Sequence, residues 1–198
     1  RQTAPSVTSL NDGGFVVTWT SNGQDGDSLG IYGQRFASDG SARGSEFQIN
    51  THSSNAQNYS SVASLADGGF VVIWNSSDQD ASGDRINGQR YASDGTTQGS
   101  EFQINTHASD AQFLYPSVTS LENGGFVATW ASLDQDGGGY GVYGQRFSSA
   151  GSPQGTEFQI NTHTTGHQWQ PSVTPLNDGG FMVTWGSEAQ DGSGFGIY

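Results

Sequence analysis

Cysteine is absent from the 198 residues, which excludes a disulfide framework, thiolate metal sites and a Cys-His nucleophile pair. Lysine is absent too: all six basic residues are arginines, set against 19 acidic ones for a formal charge of -13. There is then no basic surface to neutralise phosphates, and nucleic acid is not an expected partner. No apolar run approaches membrane-spanning length, so no membrane insertion is expected. The chain starts in mid-pattern at Arg1 with no signal peptide, and any targeting segment is expected to have been removed or to lie elsewhere in a longer parent. A nucleophile elbow and a phosphate-cradling glycine loop are also missing.

What the chain has is repetition. Gly13-Gly14-Phe15-Val16-Val17-Thr18-Trp19 returns at Gly68 to Trp74, Gly124 to Trp130 and Gly179 to Trp185, in steps of 55, 56 and 55 residues. In each copy a short alternating segment such as Ser6 to Leu10 leads into Asn11-Asp12-Gly13-Gly14 and then into the apolar run, which reads as a β-hairpin whose Asp serves the turn. Apolar groups on both faces of Phe15 to Trp19 predict a strand sandwiched between two layers. A polar loop, a third strand over 31–36, the turn around Asp39-Gly40 and a fourth strand over 46–50 complete the unit. The fold expected is all-β: a β-propeller-like array of four-stranded antiparallel blades, about 55 residues each, forming four blades or part of a larger ring. The units run approximately 5–59, 60–115, 116–170 and 171–198, the last incomplete, within a single repeat domain. A bare blade face should associate with another copy or be completed by neighbouring repeats.

The order Pro-Ser-Val, Asp-Gly-Gly-Phe-Val-Val, a strand ending in Arg-Phe and the hairpin Ser38-Asp39-Gly40 resembles the blade of sialidase-type propellers with their Asp-box turn. Ser93-Asp94-Gly95 repeats that turn, while Ser149-Ala150-Gly151 lacks the Asp. The words GGFVVTW, GIYGQRF and EFQINTH are similar to tandem repeats of very large secreted bacterial proteins of the RTX-like, adhesin-like kind. That resemblance implies a bacterial extracellular or cell-surface module in calcium-rich surroundings.

The loop between the second and third strands is the first candidate site. Copy two offers Asp78, Asp80, Ser82 and Asp84, copy three Asp134 and Asp136, copy one Asp25 and Asp27, and copy four Asp191. Hard oxygen ligands at alternate positions of a glycine-permitted turn suit calcium, the one cofactor expected, although the same residues also serve to hold turns. Arg35, Arg90 and Arg146 recur at one position and Glu46, Glu101 and Glu157 at another, which predicts repeated cross-strand ion pairs. His52, His107 and His163 each follow Asn-Thr, as metal ligands or as loop residues holding backbone. Large side chains at Tyr59, Phe113, Leu114, Tyr115 and Trp169 read as packing between blades or as a ligand platform, with Trp169 and Tyr140 the candidates for binding a glycan or cell-surface ligand. Carboxylates repeat with the fold instead of occurring once, so the expected function is a non-enzymatic structural or adhesive module, with a lectin-like propeller as alternative and a glycoside-processing enzyme third.

Overall fold

The computed structural model describes residues 1–77, 83–107 and 115–198. It is an all-β, four-blade propeller built from antiparallel sheets, with strands taken in chain order within each blade. Blade 1 holds β1 (Gln2–Ser9), β2 (Phe15–Asn22), β3 (Leu29–Phe36) and β4 (Ala42–Gln48). Blade 2 holds β5 (Gln57–Ser64), β6 (Phe70–Ser76), β7 (Arg85–Tyr91) and β8 (Thr97–Gln103). Blade 3 holds β9 (Ser117–Ser120), β10 (Phe126–Leu133), β11 (Tyr140–Phe147) and β12 (Pro153–Gln159), and blade 4 holds β13 (Gln168–Pro175), β14 (Phe181–Glu188) and β15 (Phe195–Ile197). The first strand of each blade lies innermost, since residues at its start or just before it, from all four blades, line one cavity at the axis.

Each hairpin turn uses its two glycines differently. The first takes a left-handed backbone, φ +80° to +86° at Gly13, Gly68, Gly124 and Gly179, which a β-carbon disfavours. In blades 1 to 3 the second faces the third strand so closely that a β-carbon on Gly125 would stand 2.2 Å from the Phe147 carbonyl oxygen. The Asp or Asn before the pair accepts the second glycine's N–H, at 2.9 Å for Asp12, Asp67 and Asp178 and 3.0 Å for Asn123. The turn role expected of these residues is the one they have.

Strand alternation then stacks the blades. Leu10, Val16, Ile31 and Ile49 on one face of blade 1 pack against Val62, Phe70, Val72, Trp74 and Tyr91 of blade 2. The opposite face of blade 2, with Val71, Ile73, Ile86 and Ile104, meets Val118, Phe126, Ala128, Trp130 and Phe147 of blade 3. Leu121 and Val127 meet Val173, Phe181 and Val183 in the same way. Near the axis, the hydroxyls of Ser6, Ser61 and Ser117 accept the N–H of Val62, Val118 and Val173 in the next blade, at 3.3, 3.2 and 3.2 Å.

Among the described residues, no ion pair joins Arg35, Arg90 or Arg146 to the Glu expected of it. Glu101 and Glu157 instead accept both the N–H and the hydroxyl of Thr51 and Thr106 in the preceding blade. Arg90 pairs with Asp67 at 3.2 Å, Arg35 donates to the Asp94 carbonyl of the next blade, and Arg146 lies 5.0 Å over the Phe181 ring. Arg35 and Arg146 thus reach into the next blade, while Arg90 ties the third strand of blade 2 to that blade's own hairpin turn.

Gly125→Ala is expected to destabilise the fold by about 2–4 kcal/mol, because backbone must move to admit the β-carbon. Denaturant unfolding checks this, and an unchanged midpoint would refute the close approach. A second expectation concerns acid. Hydrogen bonds from the hydroxyls and then the N–H groups of Ser41 and Thr96 hold Asp39 and Asp94 below the ordinary carboxylate range, and the Gly14 N–H acts first on Asp12. A carboxylate depressed on folding adds stability that is complete above its unfolded pKa and disappears as pH falls through the folded one. Thermal midpoints should therefore drop on acidification through the carboxylate range, and Asp94→Asn should flatten that limb.

Candidate functional site

The axis opens at one end into a cavity of about 330 Å³ bordered by Ala4, Tyr59, Tyr115 and Gln170, with Ser6, Ser60, Ser61 and Ser117 beneath. Those four border residues occupy one position of the repeat and share a left-handed backbone, φ 50°, 54°, 37° and 50°. Ala4, Tyr59 and Gln170 each fall where the first strand slips register against the second, so a bulge turns their side chains toward the mouth. The rings of Tyr59 and Tyr115 meet at 4.9 Å, and burial, then Tyr115, lifts the Tyr59 hydroxyl above its ordinary pKa. Hydroxyls, phenols and an amide line this mouth, and no carboxylate is among its described lining residues.

Gln170 also borders a second cavity of about 330 Å³, formed by Trp169, Thr184, Trp185, Gly186, Phe195 and Ile197. Here four rings form a row: Tyr140 to His167 at 5.3 Å, His167 to Trp169 at 6.0 Å and 12° between planes, Trp169 to Phe195 at 5.1 Å and 20°. Tyr140 begins β11 in blade 3 and Phe195 begins β15 in blade 4, the same position of the unit, while His167 and Trp169 lie at the start of β13 between them. His167 is oriented by its Nδ1, which accepts the Tyr140 N–H at 3.3 Å. Trp169 lies on Gly186, where a β-carbon would stand 3.1 Å from the indole; the equivalent residues of the other blades are Thr20, Asn75 and Ala131. Trp169, His167 and Tyr140 are half-buried and Phe195 is exposed, so flat faces meet solvent.

Two carboxylates flank the row. Glu188 ends β14 with its N–H bonded to the His167 carbonyl at 2.9 Å. Asp136 lies in the loop packed against His167 and accepts from Gly138 N–H at 3.1 Å, Gln159 at 3.3 Å and Asn161 at 3.4 Å. The two residues expected to bind a ligand, Trp169 and Tyr140, are thus brought together, by His167. Sequence reasoning missed His167, Phe195 and Glu188. The available signal was that His167 has no histidine counterpart in the other copies.

The calcium loops look different from the expectation. Asp25 accepts the Asp27 N–H at 3.3 Å, Asp27 the Asn55 N–H at 3.2 Å and Asp191 the Ser193 N–H at 3.1 Å, while Asp134 takes a left-handed backbone with φ 56°. Asp84 is half-buried beside β7. Asp78, Asp80 and Ser82 lie outside the described residues, as do Phe113 and Leu114. Among the described residues no three His, Asp or Glu side chains converge as a metal group. Asp25 and Asp191 each accept a backbone N–H within their own turn, while most of the copy-two loop, where the calcium reading is strongest, lies outside the described residues. The Asn-Thr-His segment works through its asparagine: Asn50, Asn105 and Asn161 accept the N–H of Ile31, Ile86 and Val142 at 2.7, 2.8 and 2.7 Å and donate to the carbonyls of His52, His107 and His163.

Gly186→Val is expected to lift the indole of Trp169 and change the near-ultraviolet circular dichroism while leaving the far-ultraviolet spectrum intact. An unchanged near-ultraviolet spectrum would refute the stacking of Trp169 on β14.

No protein-family model and no curated protein matches the chain. Solved structures do. An α-L-arabinanase of Penicillium chrysogenum, complexed with arabinobiose, superposes with a TM-score of 0.72 at 17% identity, over 100% of this chain and 62% of its own. An endo-arabinase from Bacteroides thetaiotaomicron gives 0.60 at 16%, over 98% and 73%, and a Hadza microbial sialidase gives 0.68 at 13%, over 99% and 43%. At such identities the likeness shows the fold, and the blade resemblance to sialidase-type propellers holds. The expectation of a non-enzymatic, RTX-like adhesive module is corrected by the same comparison, since the chains reported as sharing this architecture over nearly its whole length are enzymes acting on carbohydrates.

Proposed function

We propose that this is a carbohydrate-processing propeller that lays a glycan along the groove from the axis mouth, past Gln170, onto the row of His167, Trp169 and Phe195. The observation that carries the reading is that the centre of the row, His167 and Trp169, is built from residues the repeat does not share: their counterparts in blade 2 are Ala56 and Asn58. A repeated feature serves the fold, whereas a single feature on a repeated scaffold is free to serve a ligand. Sugar rings present flat apolar faces with polar edges, matching half-exposed aromatic planes edged by the Gln170 amide and the Thr184 hydroxyl.

Glycoside cleavage ordinarily uses two carboxylates, one to protonate the leaving oxygen and one as nucleophile or base. Glu188, whose counterparts in the other blades are Asn22, Ser77 and Leu133, is the carboxylate proposed for that work, while Asp136 recurs as Asp25, Asp80 and Asp191 and holds its own loop. An extracellular, bacterial setting belongs to the same proposal, supported by the acidic chain and by a polysaccharide as the proposed substrate.

The test is binding to a panel of arabinans, sialylated glycans and other polysaccharides, together with release of reducing sugar. Trp169→Ala should weaken binding roughly tenfold, the factor that about 1.4 kcal/mol of ring stacking corresponds to. Glu188→Gln should keep binding and lose release. Wild-type protein that binds no glycan in the panel, or Trp169→Ala that binds as wild type, would sink the site; binding without any release would sink the enzymatic half.

A further inference from the structure

Blade 2, which is covered on one face by blade 1 and on the other by blade 3, departs from the repeat at the start of its third strand. Blades 1, 3 and 4 carry Gly30, Gly141 and Gly196 there, followed two residues later by Tyr32, Tyr143 and Tyr198; blade 2 carries Arg85 and Asn87 instead. The two exchanges are coupled by space. A β-carbon on Gly30, Gly141 or Gly196 would stand 3.3, 3.1 or 2.9 Å from the ring of the tyrosine that follows, so an arginine at this position requires the ring to be removed. Both exchanged side chains line a cleft of about 600 Å³ between the end of blade 1, at Thr51 and His52, and the outer strands β7 and β8, at Arg85, Asn87, Glu101 and Gln103. The seam of blades 2 and 3 has a cleft of about 640 Å³, but its polar lining includes Thr106, Gln145 and Glu157, which the repeat shares. The cleft belongs to the scaffold, and the guanidinium and amide in it belong to blade 2 alone.

We propose that the cleft between blades 1 and 2 is a second site for the polysaccharide, taking a neutral, hydroxyl-rich sugar unit at a distance from those held on the aromatic row; this rests on the reading of the row as a glycan site. The cleft wall is held in place by its own contacts. Arg85 Nη1 donates to Gln103 Oε1 at 3.1 Å, and Asn87 Nδ2 donates to Glu101 Oε1 at 2.8 Å. The other Glu101 oxygen accepts the N–H and the hydroxyl of Thr51 at 3.0 and 2.7 Å. Side chains ordered in this way lose little freedom when a ligand arrives. Neighbouring sugar hydroxyls each donate and accept, which matches a guanidinium donor set beside carboxylate and amide oxygens. The Glu101 carboxylate within the cleft and the net charge of -13 select against a sugar carrying an acid group. Arg85 opens β7 one position after the counterpart of Tyr140 and Phe195, so the cleft lies at the same end of the ring as the row and the axis mouth. A glycan chain that leaves the row and crosses the mouth meets blade 2 on the far side of the axis.

The experiment is affinity electrophoresis through gels holding arabinan, galactan, xylan or mannan, with polygalacturonate as the acidic comparison. It compares wild type, Trp169→Ala, the double variant Arg85→Gly with Asn87→Tyr, and all three changes together. The double variant writes the residues of blades 1 and 3 into blade 2, so it should fold, which circular dichroism verifies; Arg85→Gln takes its place should it not. Trp169→Ala should keep part of the wild-type retardation, and adding the two blade 2 changes should remove roughly a further tenfold of affinity. A double variant that binds every polymer as wild type does, or a triple variant that binds as Trp169→Ala does, overturns the second site and leaves the aromatic row standing. Loss in the double variant with Trp169→Ala unchanged supports the cleft and counts against the row. Stronger retardation by polygalacturonate than by any neutral polymer overturns the neutral class, and wild type retarded by none of the polymers overturns both sites.

Discussion

The structure depends on one contact, the stacking of a blade's valine and isoleucine face onto the phenylalanine and tryptophan face of the next. A lone four-stranded sheet of this composition has two apolar faces and cannot hide either, so stability comes from repetition. The central strand of each inner blade shows it most plainly: every described residue of β6, Phe70 to Ser76, is buried. The turn glycines, the bulges and the short polar ties all serve to let such strands approach without stranding a backbone group.

The polar residues of the repeat are consumed in the same task. Asparagines after the fourth strand receive the N–H of the third strand, glutamates receive a threonine from the preceding blade, and arginines reach into the next blade or over its ring. Where the third copy lacks its hairpin aspartate, the Ser148 hydroxyl receives the Ser152 N–H instead, at 3.2 Å. A polar group used in every copy is a poor candidate for unique chemistry, however acidic its neighbourhood.

Symmetry is broken at the start of blade 4, where His167 and Trp169 take the places held in blade 2 by Ala56 and Asn58. The scaffold that positions them is the one used elsewhere: the bulge of the first strand, the N–H that β14 gives back to the connecting segment, and the position where β11 and β15 begin. Rigid surroundings with a few exchanged side chains are a common way for a repeat fold to acquire a ligand site.

The sequence by itself determined the strands, the turns and the blade. Period-two alternation, Asp-Gly and Asn-Gly pairs and a two-faced apolar run are local signals, and they act over distances of a few residues. It also named Trp169 and Tyr140 as platform residues, but not their connection. Glu157 meets Thr106, 51 residues away, and Tyr140 meets His167, 27 residues away. Neither distance corresponds to a strand period. Which charges pair, which aspartates are occupied by their own turns, and that four rings from three segments form one row were decided only when the blades turned about a common axis. The physical reason is that stacking fixes neighbours across blades, where no periodicity along the chain can specify them.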